Sequence, residues 1–134
     1  MQEIRKEIQE NNISISRQYI TTPYYERMIR ACRDKEDIVI FGAGSYGHIL
    51  YYMLQKEKIN TVRCFCDNNK EKWNTKVKGL NIYSLEEVKM HYPNAHFFIT
   101  VKGYEMDIIR QLVNTGISIN NIDIFAMKYT GLVV

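Results

Sequence analysis

The sequence has no hydrophobic run long enough to cross a membrane, which takes about 20 consecutive apolar residues. Apolar residues make up 46% of the 134 residues, but they are interrupted throughout by polar ones. The first ten residues are charged and amphipathic, which is not the pattern of a secretory signal. We therefore expect a cytoplasmic protein with no membrane span.

The sequence also has no large excess of positive or of negative charge. Lysine and arginine total 18, aspartate and glutamate total 15, and the formal net charge is +3. The lysines are scattered except for a group between positions 70 and 78. Such a mild charge does not indicate a nucleic-acid surface, so we predict no nucleic-acid partner.

Cysteine is scarce and odd in number. Cys32, Cys64 and Cys66 are the three cysteines, and the last two stand two apart on a predicted strand, on the same face. A single C-x-C pair is poor evidence for zinc, and His91 and His96 do not have the spacing of a metal pair. We expect free thiols packed as small apolar side chains, and no metal.

The common catalytic motifs are absent as well. The sequence has no G-x-S-x-G elbow, no H-E-x-x-H and no P-loop. Tyr52 and Lys56 have the Tyr-x-x-x-Lys spacing of short-chain dehydrogenases, but they fall on the wrong element, so we interpret the match as coincidence. His48, in the first turn of the helix after the glycine loop, is close enough to the phosphate site to matter, but we expect it to cap the helix or to face solvent. No catalytic residue is assigned.

A glycine loop is the main positive signal. The apolar run Ile38–Phe41 leads into Gly42, Gly44 and Gly47, spaced G-x-G-x-x-G, and a predicted helix follows over 48–56. In a dinucleotide-binding turn the first glycine permits the bend, the second admits the pyrophosphate and the third lets the helix pack on the strand. The helix dipole favours the same anion. The predicted pyrophosphate-binding residues are Gly42, Ala43, Gly44, Ser45, Tyr46 and Gly47.

An acidic residue stands where such a fold needs it. The next apolar run, Val62–Cys66, ends at Asp67, about 20 positions after Gly47. Its carboxylate is predicted to accept hydrogen bonds from ribose hydroxyls and to favour NAD over NADP. The alternative is a doubly wound domain that keeps its glycines for packing and binds nothing.

The remaining chain alternates strands and helices, which predicts an α/β fold. We expect three layers around a parallel sheet of about five strands in the order 3-2-1-4-5, in a domain over 36–134 that follows an N-terminal helical extension over 1–35. The stretch 68–79 reads as a polar loop. Its Trp73 is either a local hydrophobic plug or a ring near the base of a nucleotide. A helix over 104–115 is predicted to bury Met106, Ile109, Leu112 and Val113.

In this strand order the first and fourth strands are neighbours, and ligands bind at that reversal. The segments 42–47, 67–69, 100–102 and, less directly, 125–126 should converge there. Asn68, Thr100, Val101 and Lys102 are predicted to line the base and sugar side.

Three stretches together carry a family resemblance. They are Phe41-Gly-Ala-Gly-Ser-Tyr-Gly47, Phe65-Cys-Asp-Asn-Asn-Lys-Glu-Lys-Trp73 and Gly79-Leu-Asn-Ile-Tyr-Ser84. Over about residues 37–126 the chain resembles the N-terminal nucleotide-binding module of bacterial surface-polysaccharide enzymes. Those enzymes include CapD-type nucleotide-sugar dehydratases and epimerases, sugar acyltransferases and FkbM-type methyltransferases. The sequence departs from their pattern at Asn74, Asn81 and Tyr46, where glycine, proline and the acyltransferase histidine usually stand.

The resemblance implies a Rossmann-like domain that holds NAD(P), a nucleotide-sugar such as a UDP-sugar, or sometimes CoA, with the chemistry often done by another domain. Two other hypotheses stay open. One is a stand-alone NAD-dependent nucleotide-sugar oxidoreductase or epimerase completed by oligomerisation. The other is an interaction or regulatory module without a ligand. The expected partners are a small nucleotide ligand and either a second copy or a catalytic domain.

Overall fold

The computed structural model describes residues 22–125 and contains four helices and six strands in that range. The elements are α1 (Thr22–Arg33), β1 (Ile38–Phe41), α2 (Ser45–Lys56), β2 (Val62–Cys66), β3 (Lys76–Val77), β4 (Leu80–Tyr83), α3 (Leu85–His91), β5 (His96–Ile99), α4 (Glu105–Asn114) and β6 (Ile122–Ile124). Short 3₁₀ helices cover Lys70–Lys72 and Ile119–Asn121. None of these helices is long and apolar enough to cross a membrane.

The strands form one sheet in the order β3-β4-β2-β1-β5-β6. The central strand β1 pairs in parallel with β2 and β5, so that Phe41 lies between Cys66 and Ile99. The α/β class is confirmed, and the five parallel strands have the expected order 3-2-1-4-5. The two-residue strand β3 was not predicted: it lies within the stretch 68–79 that was expected to be a loop, and it pairs antiparallel with β4.

The turn between β3 and β4 explains that added strand. Lys78 and Gly79 have φ angles of 50° and 87°, and the strands on either side pair Val77 with Leu80. Two consecutive residues of positive φ are typical of the tight hairpin turns that match the twist of a sheet. A two-residue strand is too short to show an alternating pattern, so the periodicity of the sequence could not indicate it.

Each face of the sheet carries its own hydrophobic core. Ile38 and Ile40 of β1 face a first core shared with α1 and α2, and Val39 and Phe41 face a second core shared with α3 and α4. All four residues of β1 are buried, as a strand covered on both faces requires. The three layers therefore meet at β1, which also leads directly into the glycine loop.

The helix α1 is part of the first core. Met28, Ile29 and Cys32 are buried in the same cluster as β1, together with Tyr25, whereas Tyr24 is half-buried. The end of the predicted N-terminal extension therefore packs on the sheet. The rest of that extension, residues 1–21, and residue 126 lie outside the described residues.

The prediction for the outer helix α4 is partly wrong. Met106 and Val113 were expected to be inward, but they are 59% and 43% exposed, whereas Ile108 and Leu112 are buried. At 100° per residue, the apolar residues of this helix form one arc of about 160°, and the sequence does not show which part of that arc is covered. The part around Ile108 and Leu112 packs in the second core, so Met106 and Val113 at the far side of the arc stay exposed.

The cysteines behave as expected in packing. Cys64 and Cys66 both face the second core, Cys32 lies in the first, and all three are fully buried and free. Burial raises the pKa of the Cys64 thiol to about 12 and that of Cys32 likewise to about 12. These thiols are protonated and unreactive at neutral pH.

Candidate functional site

Two glycines of the loop are required by the chain itself. Gly42 has φ +116°, and a Cβ there would lie 2.4 Å from Oγ1 of Thr100. A Cβ on Gly47 would lie 1.9 Å from the carbonyl oxygen of Gly42, which is far inside contact distance. The turn off β1 and the close packing of α2 therefore account for both residues without any ligand.

The middle glycine differs from the others. Gly44 is exposed, forms the N-cap of α2 with φ −94° and ψ −157°, and no heavy atom lies within 4 Å of the position of a Cβ. Among the six glycines described, each of the other five has a positive φ or a steric clash. No side chain caps the helix at this residue. Neither conformation nor packing within the described chain requires glycine at position 44.

Thr100 supports the loop from the end of β5. Its hydroxyl, which is buried, lies 2.9 Å from the carbonyl oxygen of Phe41 and 3.1 Å from that of Gly42, and donates to this pair. The backbone N–H of Thr100 also donates to the Phe41 oxygen at 2.9 Å. The residue was predicted to line the sugar side, whereas its hydroxyl is directed at the loop backbone.

Val101 and Lys102, the two residues that follow Thr100, contact the glycine loop and the first turn of α2. Val101 is half-buried and approaches the Cβ position of Gly42 at 3.0 Å. Lys102 is exposed, and its ammonium lies 5.6 Å from the ring centre of Tyr46 on the first turn of α2. The exits of β1 and β5 are thus in direct contact, as expected for the point where the strand order reverses.

Asp67 is bonded to the glycine loop. Its Oδ2 accepts from the backbone N–H of Ala43 at 2.8 Å and its Oδ1 accepts from that of Asn69 at 2.9 Å. Lys72 places its ammonium 3.8 Å from Oδ2. A carboxylate has about four lone-pair sites, so two accepted bonds leave capacity for a ribose hydroxyl. The sequence spacing predicted the position of this residue, but it did not predict that its carboxylate also holds the glycine loop through Ala43.

Two side chains anchor the segment that follows Asp67. The indole N–H of Trp73 donates to the carbonyl oxygen of Asp67 at 2.7 Å, and the ring is half-buried. The amides of Asn68 and Gln111 bond to each other at 2.8 and 3.0 Å, which joins this loop to α4. Gln111 was missed because no local pattern links residues 43 positions apart.

His48, one turn into α2, is partly buried rather than solvent-facing. Its Nε2 is inaccessible and has no hydrogen-bond partner within residues 22–125, and its ring lies 6.1 Å from that of Phe65 in an edge contact. Burial lowers the pKa of His48, and the charges of Lys78 and Lys72 lower it further, against a backbone hydrogen bond with Ala43 that raises it. A neutral imidazole therefore lies under the glycine loop.

The structure brings the predicted segments together at the carboxyl ends of β1, β2 and β5. The backbone N–H of Gly42 donates to Cys66 at 2.7 Å, and the contacts of Asp67, Thr100 and Lys102 close the arrangement. Ser45 and Gly44 are its exposed residues on the loop. Phe125 is buried in the first core instead of facing the site, and residue 126 lies outside the described range.

Comparison with known proteins gives one family and several solved structures of similar fold. A family model described as C2185-like, N-terminal, matches residues 34–123, which is about two thirds of the chain. No curated protein matches the sequence.

Among solved structures, the chain is similar to UDP-D-quinovosamine 4-dehydrogenase from Vibrio fischeri, with TM-score 0.56, 24% identity, and coverage of 69% of this chain and 80% of that one. It is also similar to RSP, a Rex-family repressor, with TM-score 0.57, 15% identity, and coverage of 96% and 70%. RSP in complex with β-NADH gives TM-score 0.55 at 14% identity, with coverage of 81% and 61%. A further RSP structure contains β-NAD+ and operator DNA. At these identities the likeness concerns the fold, and the predicted Rossmann-like fold is confirmed.

Proposed function

Since the chain belongs to the C2185-like N-terminal family and has a Rossmann-like fold, we propose that it is a nucleotide-binding module. Its ligand is NAD(P) or a UDP-sugar, and its context is bacterial surface-polysaccharide or nucleotide-sugar metabolism in the cytoplasm. The backbone of residues 42–47 holds the pyrophosphate. Asp67 and Asn68 bind on the ribose side, and Val101 and Lys102 border the sugar side, while Thr100 keeps the loop in place.

The observation that carries the proposal is the open space at Gly44. Glycines kept only for packing would each show a reason in the chain, as Gly42 and Gly47 do. Gly44 has none, and a polar N-cap such as serine or aspartate would suit the start of α2 at least as well. A pyrophosphate lying against the backbone at the positive end of the helix accounts for the missing side chain.

The proposed ligand classes come from the names of the similar solved structures. One structure is a dehydrogenase of a UDP-sugar and another is a repressor in complex with β-NADH. Both ligand types contain a pyrophosphate, which is the group that a glycine loop binds. The net charge of +3 is low for a nucleic-acid surface, so the proposal keeps the prediction of no nucleic-acid partner.

Gly44→Asp tests the proposal because the two roles of residue 44 predict opposite effects. An aspartate N-cap suits the helix and its dipole, so the free protein should melt at the same or a slightly higher temperature. The added carboxylate occupies the phosphate position and repels the ligand. For the natural sequence, a ligand at 100 times its Kd adds about 2.7 kcal/mol, a shift of several degrees in thermal unfolding.

The matched control is Asn94→Asp. It adds the same charge just before β5, at the amino-terminal ends of the strands, whereas the glycine loop lies at their carboxyl ends. This variant should keep the ligand-induced shift that Gly44→Asp loses. NAD, NADP and a UDP-sugar are compared in thermal unfolding of all three proteins. The proposal is overturned if none of them shifts the natural protein, or if the shift persists in Gly44→Asp.

A further inference from the structure

Exposed apolar side chains are concentrated on one layer of the molecule. Of the six large apolar residues that are exposed in the described chain, four lie on α3, on α4 or directly before α4: Met90, Tyr104, Met106 and Val113. The other two are Ile119, in the 3₁₀ helix before β6, and Ile124 on β6, while α1 and α2 contribute none. The two helical layers therefore differ in what they present to their surroundings.

The outer face of α4 combines these apolar residues with both signs of charge. Met106 and Val113 stand seven residues apart, two turns of helix, on the same side. Asp107 and Arg110 lie beside them, form a 2.8 Å ion pair, and are both 66% exposed. We define the α4 face as Met106, Asp107, Arg110 and Val113.

We propose that the α4 face is the contact surface for a second copy of this chain, with the two α4 helices antiparallel around a two-fold axis. An isologous contact needs a patch that is complementary to itself. With the axis level with the midpoint of α4, Met106 packs beside Val113 of the second copy. Asp107 then lies about 3 Å along the axis from Arg110 of the second copy, at 1.5 Å per residue.

The charges are what favour a second copy over an unrelated partner. An apolar stripe alone would suit any hydrophobic surface. Asp107 and Arg110 lie on one side of the stripe and pair within the helix, and in a two-fold contact each can instead pair with the opposite charge of the second copy. The same helix is tied to the candidate site through Gln111 and Asn68. The second copy would thus contact a helix that is joined to the candidate site.

The test is sedimentation equilibrium of the full chain in the micromolar range. The natural protein should be a dimer, and Met106→Lys should raise the dissociation constant by at least about tenfold. Met90→Lys is the matched control, since it makes the same change on α3, away from the α4 face, and should leave the dimer intact.

Charge-reversal variants test whether the α4 face is the surface that forms the dimer. Asp107→Arg and Arg110→Asp should each weaken the dimer about tenfold by opposing like charges, and the double variant should restore it. A monomeric natural protein overturns the proposal, whether or not the variants alter its thermal stability. A dimer that is indifferent to Met106→Lys, or a double variant that is no better than the single ones, overturns it as well. Thermal unfolding of each variant shows that the fold is retained.

Discussion

At the scale of single residues, Asp67 is a structural side chain as well as a proposed ligand. Asp67→Ala leaves the backbone N–H groups of Ala43 and Asn69 without their acceptor, which should cost about 1–3 kcal/mol of unfolding free energy. Urea unfolding without ligand measures this loss. Asn94→Asp, which lies at the amino-terminal ends of the strands, serves as the reference variant that should not change stability. An unchanged midpoint would show that solvent satisfies these groups. Gly44, not Asp67, is therefore the cleaner position for testing ligand binding.

His48 makes the stability of the protein depend on pH. Its pKa in the folded chain lies below the ordinary 6.5 because of burial, Lys78 and Lys72. As the pH falls below 6.5 the unfolded chain takes up the proton first, so the contribution of His48 is complete above that value and is lost on acidification. Melting temperatures from neutral pH to about pH 5 should fall more steeply than in His48→Asn, which keeps a donor near Ala43 and does not titrate. Parallel curves would contradict this assignment.

Asn74 has a left-handed backbone conformation, with φ +64°. It stands where the resembled modules usually have glycine, which adopts this region without strain. Asparagine is among the side chains that tolerate the left-handed region best, so this turn does not require glycine. The sequence identified the departure, and the structure shows the conformation that the position has.

At the scale of elements, α1 is integral to the domain although the family match begins after it, at residue 34. A chain that starts at residue 34 loses the four buried side chains that α1 contributes to the first core. We expect it to lose the cooperative thermal transition of the full chain, followed by circular dichroism. A cooperative melt of the shortened chain close to that of the full one would mean that α1 is dispensable.

Tyr25→Phe is the milder form of that experiment. The Tyr25 hydroxyl donates to the carboxylate of Glu57, which also pairs with Arg33, so α1 is joined to the C-terminal end of α2. The variant keeps the ring in the core and removes only this bond. Its loss should cost about 1 kcal/mol in urea unfolding with an unchanged m-value.

What the sequence could predict at this scale follows from the strength of each pattern. The buried strands, the helix after the glycine loop and the α3 helix capped by Ser84 were predictable, because burial on two faces and capping both leave local signals; the cap bond from the Glu87 N–H is 3.2 Å. The strand β3 was not, since two residues carry no period. The orientation of α4 was partly wrong because only one side of its apolar arc, around Ile108 and Leu112, is covered by the second core.

At the scale of the whole molecule, the convergence of the site segments was predictable and their contacts were not. Strand order places the ends of β1, β2 and β5 together, and the glycine and aspartate positions follow from it. The hydroxyl of Thr100, the Asn68–Gln111 pair and the buried imidazole of His48 depend on distances between distant segments. These contacts decide which residues hold the loop and which face the ligand.

The same architecture leads us to expect that the domain binds one nucleotide at a time. In the described residues a single glycine loop lies at the carboxyl edge of the sheet, and both NAD and a UDP-sugar would use it through their pyrophosphates. Hydride transfer needs the two side by side with a group that handles the proton. We therefore expect NAD and a UDP-sugar to compete: the apparent Kd for NAD, measured by calorimetric titration, should rise in proportion to the UDP-sugar present. An unchanged affinity for NAD, together with NADH formation when both are supplied, would instead identify a dehydrogenase that holds two substrates.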